Sequence, residues 1–143
     1  MQVAKILDNK GSDVYTIAPD ATIETAVAVM CDHGIGALVV SANGSTVDGI
    51  VSERDFMHGL ADQGARLLSE RVSDVMTKDV LTCTRKDTGR DLLGQMTEQR
   101  IRHVPVVENG KLCGMISIGD AVKSRLDEVL HEADALREYI SQT

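Results

Sequence analysis

Two Ser-x-x-Asp sequences carry the most chemistry in this chain: Ser52-Glu53-Arg54-Asp55 and Ser117-Ile118-Gly119-Asp120. A serine three residues ahead of an acid is a helix start: the hydroxyl caps an amide and the carboxylate favours the positive helix end. The same geometry suits a sugar. A carboxylate accepts two hydrogen bonds from ribose hydroxyls, while serine and exposed helix-start amides address sugar or phosphate oxygens. Both readings stay open for both pairs. Thr16 and Thr82 stand at the mouths of apolar segments, where a hydroxyl can assist a ligand or a β-favourable residue can complete a sheet. Val80, Ile101 and Ile116 can form an aliphatic slot for a flat adenine ring, with Gly36 allowing close backbone approach. Arg102-His103 precedes Val104-Pro105-Val106, whereas the corresponding place earlier in the chain holds uncharged Gly36-Ala37. A bound phosphate would favour Arg102, His103 or both, with Arg54 a further candidate. Salt bridging for Arg102 and partial burial for His103 are the competing structural readings.

Other chemistries lack their motifs. No nucleophile elbow or phosphate loop places Ser, His and Asp together. Gly34-Ile35-Gly36 precedes a strand instead of joining strand to helix, so it is not a dinucleotide fingerprint. We therefore expect no enzyme and no catalytic cofactor. His33, His58, His103 and His131 show no convergent metal spacing, and Cys31, Cys83 and Cys113 form no CxxC pair. Free thiols fit a reducing compartment. Only Tyr15, Tyr139 and Phe56 are aromatic and the net charge is -7, which argues against nucleic acid as a partner. No apolar run approaches the ~20 residues that span a bilayer, and the first ten residues lack the pattern of a secretory signal. The expected location is cytoplasmic.

The elements that must position these residues come in duplicate. Val14 falls on Val80, Thr16 on Thr82, Thr22 on Thr88, Met30 on Met96 and Ile35 on Ile101, all at a spacing of 66. Ile6-Leu7-Asp8 is placed over Val72-Ser73-Asp74 at the same spacing. The spacing then drops to 65, with Gly49-Ile50-Val51-Ser52 over Gly114-Met115-Ile116-Ser117 and Asp55 over Asp120. Each copy reads as β-α-β-β-α. Short strands are expected at 15–17 and 81–83, and helices at 22–33 and 88–99, capped by Asp20 or Thr22 and by Asp87 or Thr88. Apolar strands follow at 37–40 and 104–107, where Pro105 suggests an edge or a strand start. Asn109-Gly110 predicts a hairpin turn. Further strands at 49–51 and 113–116 lead to helices at 53–60 and 119–130. The repeats span 5–62 and 70–126, joined by a loosened connector at Gln63-Gly64-Ala65. A helical extension over 127–143 carries an incomplete apolar stripe, for packing on its own module or across a dimer. Pairing the halves buries a sheet face that either half alone would expose.

With Val75-Met76-Thr77, the run from Ile101 to Val107 and Gly114-Met115-Ile116-Ser117-Ile118-Gly119-Asp120 in the second copy, the chain resembles the cystathionine β-synthase (CBS) domain family. The first copy matches through Ile35-Gly36-Ala37-Leu38-Val39-Val40 and Gly49-Ile50-Val51-Ser52-Glu53-Arg54-Asp55. The resemblance implies an α/β (α+β) pseudo-twofold module with two adenosine-ligand clefts and dimerisation into a flat disk. It implies that Asp120 or Asp55 holds ribose, that nearby Ser or Thr (Ser117, Ser52, Thr82, Thr16) assists, and that His103 approaches phosphate. One cleft would combine Thr82, His103 and Asp120, the other Thr16, Gly36 and Asp55; because Gly36-Ala37 departs from the basic phosphate-facing pattern, the Asp120 cleft is the stronger expectation and the Asp55 cleft the weaker. The ligand expected is AMP, with ATP, ADP, NAD(H) or S-adenosylmethionine as alternatives. The implied role is that of a homodimeric sensor whose ligand changes contact with a regulated protein, itself unidentified. A ligand-independent dimeric interaction module is the alternative.

Overall fold

The computed structural model describes residues 1–142. In chain order the elements are α1 (Val3–Lys10), β1 (Thr16–Ile17), α2 (Ile23–His33), β2 (Ala37–Val40), β3 (Gly49–Ser52) and α3 (Glu53–Gln63). A 3-10 helix (Gly64–Ser69) leads to α4 (Val72–Val75), α5 (Gly89–Gln99), β4 (His103–Glu108), β5 (Lys111–Ser117) and α6 (Ile118–Ser141). None of these helices is long and apolar enough to cross a membrane.

In the first repeat β1 runs parallel to β2, with Thr16 opposite Val39 and Ile17 opposite Val40. β3 returns antiparallel, from Ala37 opposite Ser52 to Val40 opposite Gly49. All four β2 residues are buried, as a central strand covered on both faces requires. Thr22 caps α2 by accepting from the Thr25 amide, and Thr88 caps α5 by accepting from the Asp91 amide. In the second repeat β4 and β5 form a hairpin closed by Glu108 opposite Lys111. Asn109 (φ 52°) and Gly110 (φ 76°) supply the two left-handed turn residues that a two-residue hairpin needs.

The strand expected at 81–83 is reduced to one parallel bridge, Cys83 with Val106. The Cys83 amide donates to the Pro105 carbonyl at 3.0 Å and the Val107 amide donates to Cys83 at 2.8 Å. The counterpart of the Thr16–Val39 pair is missing because Pro105 stands where Val39 does and has no N–H to donate. Pro105 is thus flanked by β5 and by the Cys83 bridge, and its absent donor shortens the neighbouring strand.

A second departure concerns the leading helices. The Val3 amide donates to Asp87 and the Ala4 amide to Arg85, while Val72 donates to Ala21 and Ser73 to Pro19. Asp87 and Ala21 correspond, so Val3 corresponds to Val72, and Leu7 to Met76. The register differs by three residues from the placement of Ile6-Leu7-Asp8 over Val72-Ser73-Asp74. Each leading helix also serves the opposite repeat. Val3, Ile6 and Leu7 are buried with Leu92, Met96, Val104 and Ile116 in the second core. Val72 joins Ile23, Leu38, Val51 and Phe56 in the first. At about 1.5–3 kcal/mol per buried aliphatic side chain, this exchange ties the halves into one unit.

The expected loose connector is ordered. Gly64 ends α3 with φ 62° and begins the 3-10 helix, whose Leu67 is 1 % exposed in the first core. The extension expected from 127 is the continuation of α6, one helix of 24 residues; Thr143 lies outside the described residues. Along it Leu126, Val129, Leu130, Leu136 and Tyr139 are exposed.

Candidate functional site

The two repeats meet at the N-terminal ends of α3 and α6, around a cleft of about 860 Å³. The Glu53 amide donates to the Gly36 carbonyl at 3.0 Å, and the Ile118 amide to the Arg102 carbonyl at 2.8 Å. These pseudo-symmetric bonds tie each strand mouth to the start of its closing helix. A Cβ on Gly36 would lie 2.8 Å from Glu53 Oε1 and 3.5 Å from His103 Cε1. A side chain at Gly36 would push the Glu53 carboxylate aside, so glycine lets the mouth of the first repeat approach that of the second closely.

Gly36, Ser52, Arg54 and Asp55 line the cleft from the first repeat; Val80, Ile101, Arg102, His103 and Ser117 line it from the second. The aliphatic side chains of Val80 and Ile101 are half-buried, and Arg54 and Arg102 are exposed. Arg54 is steered across the boundary, its guanidinium donating to the Arg100 carbonyl at 3.3 Å. Burial, reinforced by Arg102, lowers the His103 pKa below its usual 6.5 against the opposing pull of Glu53 and Asp120, so His103 is neutral at pH 7. The fixed positive charge in the cleft is therefore guanidinium.

The two Ser-x-x-Asp pairs both form capping boxes, yet their surroundings differ. The Ser52 amide and hydroxyl donate to Asp55 Oδ2 at 2.9 and 3.2 Å. No basic group pairs with Asp55 among the described residues. At the other pair the Ser117 amide donates to Asp120 Oδ2 at 2.8 Å and the Asp120 amide to Ser117 Oγ at 3.1 Å. Lys10 Nζ then donates to the same Oδ2 at 2.6 Å and to the Met115 carbonyl at 2.9 Å. Burial pushes the Asp120 carboxyl up, but the hydrogen bonds from Lys10 and Ser117 outweigh it and hold the pKa below the usual carboxylate value.

The remaining sequence candidates lie elsewhere. Thr16 is half-buried in the β1–β2 ladder, Thr82 is exposed beside the shortened strand, and neither lines the cleft. Ile116 does not form an adenine slot: strand alternation turns it into the second core, where it is 0 % exposed. Asp120 also falls outside the lining, so the structure does not group Thr82, His103 and Asp120 in this cleft. It groups Asp55 with Val80, Ile101, Arg102 and His103 instead. Thr77, Leu81 and Met57 line the cleft as well and were missed. Thr77 arrives there because the leading segment of the second repeat bridges Ile50 of the first, an exchange with no local sequence signal. Among the described residues no cluster of His, Cys, Asp and Glu suits a metal.

The CBS domain family model matches residues 5–62 and 72–127. The mitochondrial CBS domain-containing protein CBSX3 of Arabidopsis thaliana is 37% identical over 125 residues, 85% of this chain and 61% of that protein. The chain thus spans less than two thirds of that relative. A crystal structure of a CBS-domain containing protein from Agrobacterium tumefaciens shares 48% identity and a TM-score of 0.84, covering 87% of this chain and 99% of that one. Inosine-5'-monophosphate dehydrogenase of Methanocaldococcus jannaschii is 34% identical over 115 residues, which are 79% of this chain but 22% of the enzyme. That match is to the enzyme's non-catalytic CBS module. Family relationship gives it a general regulatory role. With two family matches on exchanged β-α-β-β-α repeats, the chain belongs to the CBS domain family as a tandem two-repeat module.

Proposed function

We propose that the chain is a regulatory module that binds an adenine nucleotide, AMP foremost, in the cleft between its repeats. The observation that carries this reading is the convergence of three chemistries around one cavity. Val80 and Ile101 offer an aliphatic slot for the base, Asp55 a carboxylate with no cation paired to it among the described residues, and Arg54 and Arg102 fixed charge for phosphate. The volume of about 860 Å³ lies in the ~300–1,000 Å³ range of small-molecule sites. Asp55 comes from one repeat and Val80, Ile101 and Arg102 from the other, so a bound nucleotide braces both. It shifts the relation of the halves to the extent that it binds one arrangement more tightly, and so changes affinity for a partner protein.

Calorimetric titration with AMP, ADP, ATP, NADH and S-adenosylmethionine tests the reading on protein freed of copurified ligand. Asp55→Asn keeps one oxygen for the cap but replaces the second acceptor by a donor. Loss of charge-assisted bonds to ribose costs about 1.5–3 kcal/mol, roughly ten- to hundredfold in Kd. Saturable binding by none of the five, or an unchanged Kd in the variant, rejects the assignment.

The exposed apolar residues of α6, Leu126, Val129, Leu130, Leu136 and Tyr139, favour a second reading, a homodimeric interaction module that needs no ligand. Sedimentation of ligand-free protein separates the two. A dimer unaffected by any nucleotide supports the second reading alone.

A further inference from the structure

Pseudo-symmetry relates the Asp55 side of the module to an Asp120 side. Through the leading helices the two sides correspond closely. A Cβ on Gly49 would meet Met76 Sδ at 2.5 Å, and one on Gly114 would meet Leu7 Cδ2 at 2.7 Å. Beyond Met76 and Leu7 the paths part. In the second repeat Thr77 bonds the Ile50 backbone in both directions, at 3.0 and 2.9 Å. In the first repeat α1 continues through Asp8 and Asn9 to Lys10, which three additional residues make room for. Lys10 then takes the carbonyl of Met115, the counterpart of Ile50, together with the carboxylate of Asp120.

We propose that Lys10 occupies the Asp120 half-site as an internal cation, so that the module takes one nucleotide, on the Asp55 side, and excludes a second. This rests on the reading of the Asp55 cleft as a nucleotide site and adds the device that breaks its symmetry. A ribose approaching Asp120 must displace an ammonium held at 2.6 Å. It replaces that bond with neutral hydroxyl donors, whose hydrogen bonds to a carboxylate lack the second charge. Lys10 is tethered through a helix buried in the same lobe, so it returns at high effective concentration and without the entropy cost that a free ligand meets. Asp55 carries no such competitor among the described residues.

The test compares wild type, Lys10→Met, Asp55→Asn and the double variant, with AMP as the probe in calorimetry. Methionine retains the apolar stem and removes the ammonium. Wild type is expected to bind one AMP per chain, and Asp55→Asn to bind it roughly ten- to hundredfold more weakly. Lys10→Met is expected to bind two, and the double variant to retain the second. Carboxyl chemical shifts followed against pH give a readout that needs no nucleotide: the Asp120 pKa rises in Lys10→Met. Two AMP per wild-type chain, or one per Lys10→Met chain where wild type also binds one, overturns the proposal. An Asp120 titration identical in both proteins overturns it whatever AMP does. If wild type binds no AMP, the Asp55 reading fails by itself. Lys10→Met then still decides, since a single AMP that Asp120→Asn abolishes sustains the internal cation and no binding rejects it.

Discussion

The exchanged leading helices make a prediction that only their observed register supports. Leu7 is 2 % exposed, and its methyl carbons lie 2.7 and 2.8 Å from where a Cβ on Gly114 would stand. Leu7→Ala removes a fully buried side chain from the second core, where the β5 backbone cannot move in to fill the space. Its cost should fall in the upper part of the ~2–5 kcal/mol range for such truncations, about 3–4 kcal/mol. Gly114→Ala alone forces the packed methyls aside and costs about 1–3 kcal/mol as overpacking. In the double variant the new methyl enters the volume that leucine vacated, so the second substitution becomes nearly neutral. The pair should therefore couple by about 2 kcal/mol, as contacting residues do. Gly49→Ala supplies the control, because its Cβ would meet Met76 Sδ at 2.5 Å and the Thr77 carbonyl at 2.9 Å in the other half. With Leu7→Ala it should be additive within about 0.5 kcal/mol. Urea unfolding of the six proteins, read from midpoints at constant m, measures both couplings. Coupling of Leu7 to Gly114 below about 0.5 kcal/mol, or equal coupling to Gly49, would refute the exchange and the three-residue register with it.

Two further expectations follow from ionisable groups in the cores and the cleft. Burial, with smaller contributions from Asp87 and Cys113, pushes the Cys83 thiol up to about 12, so it stays protonated at pH 8. Iodoacetamide should alkylate exposed Cys31 in native protein and reach Cys83 only in urea; native labelling of Cys83 as fast as Cys31, followed by mass spectrometry, contradicts this. His103 is held neutral in the folded chain but titrates near 6.5 when unfolded, so its contribution is complete above pH 6.5 and is lost as pH falls through the depressed folded value. Melting temperatures between pH 7.5 and 5 should fall less steeply in His103→Gln than in wild type, and an identical slope removes His103 from the acid sensitivity.

What was legible in the sequence is what short range decides. The Ala37–Val40 run and the Asn109-Gly110 turn each follow from residues within a few positions and stand in the structure, and of the cap candidates, Asp20 or Thr22 and Asp87 or Thr88, the threonines do the capping. Pro105 suggests an edge or a strand start, yet it stands third in β4, between β5 and the Cys83 bridge, and its missing donor costs the pair at Thr82 instead. The leading helices show the limit more sharply. Ile6-Leu7-Asp8 and Val72-Ser73-Asp74 are locally interchangeable in type, and their true register is set by Gly114 and Gly49, which lie in the opposite repeat. The same holds for the candidate site. Ser52-Glu53-Arg54-Asp55 and Ser117-Ile118-Gly119-Asp120 carry one motif and fold into one capping box. Local chemistry therefore cannot rank them. Reading outward from Arg102-His103 favoured Asp120, since the basic residues and that acid belong to one repeat. In the fold those residues turn toward Asp55 instead, and Asp120 meets a lysine 110 positions away in sequence. A symmetric motif acquires unequal roles from its partners, and those partners arrive through the exchange of α1 and α4 between the halves. The three residues that carry Lys10 to Asp120 thus do more to distinguish the two sites than any difference within the motifs themselves.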